Sequence, residues 1–187
     1  MSAAPLQSWN ETPTRRAILA FVERVVRPGS PDFVPVPERA AVFDTDGTLW
    51  CEKPLPVQAD FLLGRLRDMV IHDPQLRARE PFRAAVERDY EWLGNAIAKH
   101  YAGDNSDLSR MSAGLLSAYA GSTIEEFEQS AKSFFRSAQH PLLKRPYRRC
   151  TYQPMRELLD YLESQQFTNY VVSGGTRDFV RTVSMEL

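Results

Sequence analysis

Two short stretches of this chain carry residues that could do chemistry together. The first is Asp44-Thr45-Asp46-Gly47-Thr48, directly after the apolar run Ala40-Ala41-Val42-Phe43. The second is Ser173-Gly174-Gly175, directly after Val171-Val172. A carboxylate is a poor nucleophile toward a phosphate anion because both are negative. It becomes effective when a cation lies between them, and attack on phosphorus then gives an aspartyl-phosphate. Mg²⁺ suits that role, since it prefers hard oxygen ligands and bridges carboxylates to phosphate oxygens. Asp44 is the candidate nucleophile and metal ligand. Asp46 is the candidate acid and base, protonating the leaving oxygen and then deprotonating the attacking water. Gly47 permits a sharp turn and would offer backbone amides to the phosphoryl group. Thr48 would hydrogen-bond across that turn and hold Asp44. Ser173 and the amide of Gly174, at the start of a helix, form a candidate phosphate site.

An Asp-Gly pair after a strand can also be only a turn, and Ser-Gly-Gly alone is often only a loop. The apolar run before the first motif and the presence of the second argue for a site. In parallel α/β sheets, ligands bind beyond the carboxyl ends of strands, so two motifs 129 residues apart can meet there.

The elements that must position these residues are readable in outline. Thr12 followed by Pro13 predicts an N-cap and first helical position, and Ile18, Phe21, Val22 and Val25 extend a helix over 13–26. Pro35 and Pro37 predict extended chain. The run at 40–43 predicts a buried strand ending near Asp44. Helical stripes follow: Phe61 to Val70; Phe82 to Ile97 with Asp89 as a polar interruption; and Met111 to Tyr119. Thr123 with Glu126 is a capping box opening a further helix through Phe135. Pro154 opens another, and 169–173 is a second strand. A crossover this long exceeds one connecting helix, so residues 53–145 are expected to be a helical insertion. The expected divisions are 1–52, 53–145 and 146–187.

The motifs resemble those of the haloacid dehalogenase-like hydrolase superfamily on its phosphatase side, and Ser-Gly-Gly is similar to its phosphoserine-phosphatase-like branch. Asp44, Asp46 and Thr48 match its first motif, and Ser173 matches its second. The resemblance implies a Rossmann-like α/β core of parallel strands with a helical cap inserted after the first strand. It implies Asp44 as nucleophile, Asp46 as general acid and base with its carbonyl also on Mg²⁺, and Ser173 as a phosphate ligand. The second aspartate favours phosphoryl transfer over carbon–halogen cleavage. The family also has a third motif, a Lys or Arg, and a fourth, acidic one, both beyond the second. Only 14 residues follow Ser173, and they contain no Lys. Arg177 and Arg181 fall on the next helix, and Asp178 and Glu186 are poorly placed for the fourth motif. The expectation is an incomplete core, truncated after the second motif, with weak or absent activity. The alternatives are a non-catalytic phosphate- or partner-binding fragment, or a phosphotransferase or mutase with the same intermediate.

Composition narrows the partners. With 23 Lys and Arg against 24 Asp and Glu, electrostatic capture of nucleic acid or an anionic membrane is not expected. No apolar run reaches the about 20 residues that span a bilayer. Residues 1–11 lack the pattern of a secretory signal, so cytoplasmic residence is expected; the substrate that the motifs and the resemblance imply is a small phosphorylated metabolite. Cys51 and Cys150 are expected to be unpaired, partly buried thiols. His72, His100 and His140 have no metal spacing. Glu52 and Lys53 are expected in a solvated loop, Lys144, Arg145, Arg148 and Arg149 in a solvated linker, and Trp50 and Trp92 in packing.

Overall fold

The computed structural model describes residues 5–185; Glu186 and the side chain of Ile97 lie outside the described residues. The fold is mixed α/β, mostly helical with a two-stranded parallel sheet. The Thr12 hydroxyl accepts the Arg15 N–H at 3.3 Å and starts α1 (Pro13–Val26), which buries Val22 and Val25. The proline-bearing stretch after it is not uniformly extended. Val36–Glu38 forms one tight helical turn, closed by the Glu38 N–H on the Pro35 carbonyl at 2.9 Å. The fixed φ of Pro37 suits that turn as well as it suits extended chain.

Strands β1 (Ala40–Phe43) and β2 (Thr168–Val171) pair in register from Ala40 opposite Thr168 to Phe43 opposite Val171. The second strand therefore begins one residue earlier than expected and stops at Val171. The expectation of a buried first strand is corrected. Phe43 is the only buried residue of β1, and Val42 is 64% exposed, beside Tyr170 and Val172, which are also exposed. Side chains alternate across a sheet, and the core covers only the face that carries Ala41, Phe43 and Val171.

Between the strands run α2 (Val57–His72), α3 (Phe82–Glu87), α4 (Tyr90–Tyr101), α5 (Ser106–Ser117), α6 (Ile124–Ser137) and α7 (Gln153–Ser164); α8 (Arg177–Ser184) follows β2. The stripe expected across 82–97 is two helices. Arg88 takes a left-handed conformation with φ of 55°, and the Asp89 carboxylate accepts the Trp92 N–H at 2.9 Å. Asp89 is thus an N-cap, the role for which a short acceptor side chain is best suited. At the head of α6 both halves of the capping box form: Thr123 accepts the Glu126 N–H, and Glu126 accepts the Thr123 N–H.

One hydrophobic core joins the helical segment to the elements that flank the motifs. Phe61 of α2 stands at its centre, 5.4 Å ring to ring from Phe127 and Phe134 of α6 and from Phe179 of α8. Trp50 is fully buried with its ring edge-on to Phe135, in keeping with a packing role. Cys51 is half-buried and Cys150 buried, both as free thiols. Lys144, Arg145, Arg148 and Arg149 stay exposed. Among the described residues, no helix is long and apolar enough to cross a membrane.

His140 is buried, and its Nδ1 accepts the N–H groups of Leu142 and Leu143 at 3.2 and 3.1 Å. Burial lowers its pKa below the ordinary imidazole value. The Lys53 backbone and the Asp60 carboxylate oppose that shift, and Arg145 adds to it. The folded state therefore holds fewer protons than the unfolded chain as pH falls through the ordinary imidazole range, so stability drops with pH there. The expected result is a lower urea midpoint at pH 5.5 than at pH 7.5. His140→Asn, which keeps an acceptor for the two N–H groups, should flatten that dependence. An unchanged pH profile in the variant would contradict it.

Candidate active site

The parallel register carries both motifs to the same end of the sheet. Past the last paired residues, the Val172 N–H donates to the Phe43 carbonyl at 2.8 Å. One residue further on, the hydroxyls of Thr45 and Ser173 are hydrogen-bonded at 2.8 Å, joining the two motifs directly. Thr45 is 0% exposed. Its carbonyl accepts the N–H groups of Thr48, Leu49 and Trp50 at 3.2, 2.8 and 3.3 Å, which winds the first motif into a tight loop. Gly47 completes the loop with φ of +80°, a conformation that favours glycine.

That loop departs from the sequence reading at two points. The Gly47 N–H is taken up by the Trp50 carbonyl at 2.8 Å and is not offered to a ligand. Among the described residues the Thr48 hydroxyl makes no hydrogen bond, so it does not hold Asp44. Thr45 is the threonine that ties the motif down.

Asp46 is fixed by two donors. Its Oδ1 accepts the indole N–H of Trp50 at 2.8 Å and the Val57 N–H at 3.2 Å. Val57 is the first residue of α2, where backbone N–H groups lack helical partners. The carboxylate therefore joins the loop to the helix. Asp44 is exposed and makes no hydrogen bond among the described residues.

Ser173 also accepts the Gly175 N–H at 3.2 Å, while the Gly174 N–H donates to no described group. The next amide is held from across the site. Gln58 of α2 accepts the Thr176 N–H through Oε1 at 2.9 Å, and its Nε2 donates to the Thr176 hydroxyl at 2.8 Å and the Tyr119 hydroxyl at 2.7 Å. Gly175 leaves room for this arrangement. A Cβ there would stand 2.8 Å from Gln58 Oε1 and 2.8 Å from a Val180 methyl. Gly175→Ala should consequently lower stability by about 1–2 kcal/mol, as overpacking does. It should also move the Thr176 amide resonance as Gln58 is displaced. A wild-type urea midpoint and an unmoved resonance would show that the site absorbs the methyl.

Asp44, Asp46, Ser173 and Gly174 all line one cavity of about 600 Å³, whose lining also includes Gly175, Thr176, Pro56, Gln58, Leu62 and Tyr119. Thr48 is not among its lining residues. Glu52 is half-buried rather than solvated, its carboxylate against Gly47 and 3.4 Å from the Tyr152 hydroxyl, and it does not face the cavity. Arg177 pairs with Asp178 at 3.1 Å, and neither Arg177 nor Arg181 lines the cavity.

Two carboxylates in one cavity suit Mg²⁺, which usually takes one or two protein carboxylates and completes its shell with water and phosphate oxygens. Among the described residues no third His, Cys, Asp or Glu joins them. Sequence reasoning missed Thr45, Gln58 and Tyr119. Thr45 sits at the unconstrained position of its motif, and a glutamine in the first turn of a helix gives no sign of a partner 118 residues away. No family model matches the chain, and a search of the curated proteins gives no significant match.

Proposed function

We propose that the chain is a Mg²⁺-dependent phosphomonoesterase that works through an aspartyl-phosphate on a small phosphorylated metabolite. The supporting observation is the 2.8 Å hydrogen bond between Thr45 and Ser173, which holds the two motifs together beside Asp44 and Asp46. In this reading the two strands belong to a Rossmann-like sheet and the helical segment is a cap over their carboxyl ends.

The chemistry follows from the positions of the groups. The Asp44 carboxylate, exposed to the cavity and unpaired, attacks phosphorus. As the ester P–O bond breaks, the leaving oxygen takes a proton from Asp46, whose Oδ2 is left free by the two donors on Oδ1. Asp46 then removes a proton from the water that cleaves the aspartyl-phosphate, which releases inorganic phosphate and restores Asp44. The Ser173 hydroxyl and the Gly174 N–H would hold phosphoryl oxygens. Mg²⁺ held by the Asp44 carboxylate and the Asp46 backbone carbonyl would screen the repulsion between nucleophile and phosphate.

A second reading is phosphate binding without turnover. Turnover is what it leaves out, because among the described residues no cationic side chain lines the cavity to neutralise charge on a transferring phosphoryl group. Titration with inorganic phosphate, with and without Mg²⁺, tests what the two readings share. The amide resonances of Thr45, Ser173 and Gly174 should move only when Mg²⁺ is present. No movement in a folded chain would remove both.

A further inference from the structure

Away from Asp44 and Asp46 the cavity lining is largely apolar. Pro56, Leu62, Leu115 and Leu116 supply an apolar surface, with Ser112 and Tyr119 as its hydroxyl groups. Gln58, the remaining long polar side chain, is already engaged through both ends of its amide. The Tyr119 ring is fixed by stacking on Phe127 at 5.0 Å, and its oxygen accepts the Gln58 N–H, so its own proton is free to be donated. Leu116 is 70% exposed and so is available to a ligand.

Charge is as informative as shape. Asp44 and Asp46 are the only carboxylates in the lining, and no Lys, Arg or His lines the cavity among the described residues. A phosphorylated amino acid would bring a carboxylate with no cation to meet it. It would also bring an ammonium with no acidic partner apart from the reacting pair. Such charges gain no partner from this lining, whereas an apolar group gains contact with it. Glu52, the acidic residue nearest the motif in sequence, is turned away against Gly47 and Tyr152.

We infer that the site takes phosphate monoesters of uncharged, predominantly apolar alcohols or phenols, and discriminates against phosphorylated amino acids and other esters with charged organic groups. This rests on the phosphatase reading of the same site. The organic group lies against Leu62, Leu115 and Leu116, and one acceptor atom on it takes the Tyr119 hydroxyl proton. A cavity of about 600 Å³ admits a group of one or two rings.

The test is calorimetric titration of the full chain, and of its Asp44→Asn variant so that turnover adds no heat, in Mg²⁺ with three probes: inorganic phosphate, 1-naphthyl phosphate and O-phosphoserine. The expected result is binding of all three, with naphthyl phosphate favoured over phosphoserine by about tenfold or more. In Leu116→Ser, a change at an exposed position, that ratio should fall about threefold. Phosphate binding with equal or reversed affinities for the two esters would overturn the specificity and leave the phosphatase reading standing. Binding of naphthyl phosphate that phosphate and Mg²⁺ do not affect would overturn the phosphatase reading, and with it this assignment of the ester group. Binding of none of the three would overturn both.

Discussion

Asp44→Asn is expected to bring Mg²⁺-dependent hydrolysis of an aryl phosphate down to the level of buffer, while the chain stays folded. An amide has no negative oxygen with which to attack phosphorus, and it is a weaker Mg²⁺ ligand than a carboxylate. Stability should hardly change. Asp44 is exposed, makes no hydrogen bond among the described residues, and asparagine has almost its shape; surface changes of that kind stay within about 0.5 kcal/mol. Asp46 makes the useful contrast. Its Oδ1 satisfies both the Trp50 indole and the first amide of α2, so Asp46→Ala leaves two donors without an acceptor. That variant should lose activity and about 1–3 kcal/mol of stability together. Hydrolysis rates and urea midpoints of the two variants separate the chemical role from the structural one. Retained hydrolysis in Asp44→Asn would remove Asp44 as nucleophile.

The largest effect on stability is expected at Phe61. This ring is 3% exposed and touches Phe127, Phe134 and Phe179, so one side chain fastens α2 to both α6 and α8. Phe61→Ala removes a whole ring from a close-packed centre and should destabilise the chain by about 3–5 kcal/mol. That is a large part of the roughly 5–15 kcal/mol that holds a typical protein folded. Phe61→Leu keeps most of the volume and should lose much less. The consequence for the site is specific. Thr176 is the N-cap of α8, and α2 supplies Gln58 to the Thr176 amide. Loosening the ring cluster should therefore broaden the resonances of Ser173 and Gly174 before global unfolding. Urea titration followed by tryptophan fluorescence and by those amides would check it, and identical wild-type midpoints would contradict it.

The sequence made some of this plain and hid the rest for physical reasons. Local signals were readable where the physics is local. Thr12-Pro13 starts α1, and Thr123 with Glu126 opens α6, because a cap is made within a single turn. The end of β1 was equally clear, since an apolar run meeting Asp44 has one direction of change. The break at Arg88 was hidden because Asp89 has the spacing of a polar residue within a stripe, and only its backbone geometry makes it a cap. The open face of the sheet was hidden as well. A short apolar run reads as buried on both sides, and which side is covered depends on where distant helices pack. In the candidate site, Asp44, Asp46 and Ser173 stood out by residue type and placement. Thr45 and Gln58 did not, because their partners lie 128 and 118 residues away and nothing in their neighbourhood announces them.

The central claim is that Asp44 accepts a phosphoryl group in a site completed by Ser173. The most direct measurement is acid quenching of the folded chain after incubation with 1-naphthyl phosphate and Mg²⁺, followed by peptide mapping by mass spectrometry. The account predicts one phosphoryl group, labile to hydroxylamine, on the peptide that contains Asp44. It predicts none without Mg²⁺ and none in Asp44→Asn. A phosphoryl group on another residue, or none in a chain that hydrolyses the ester, would contradict it.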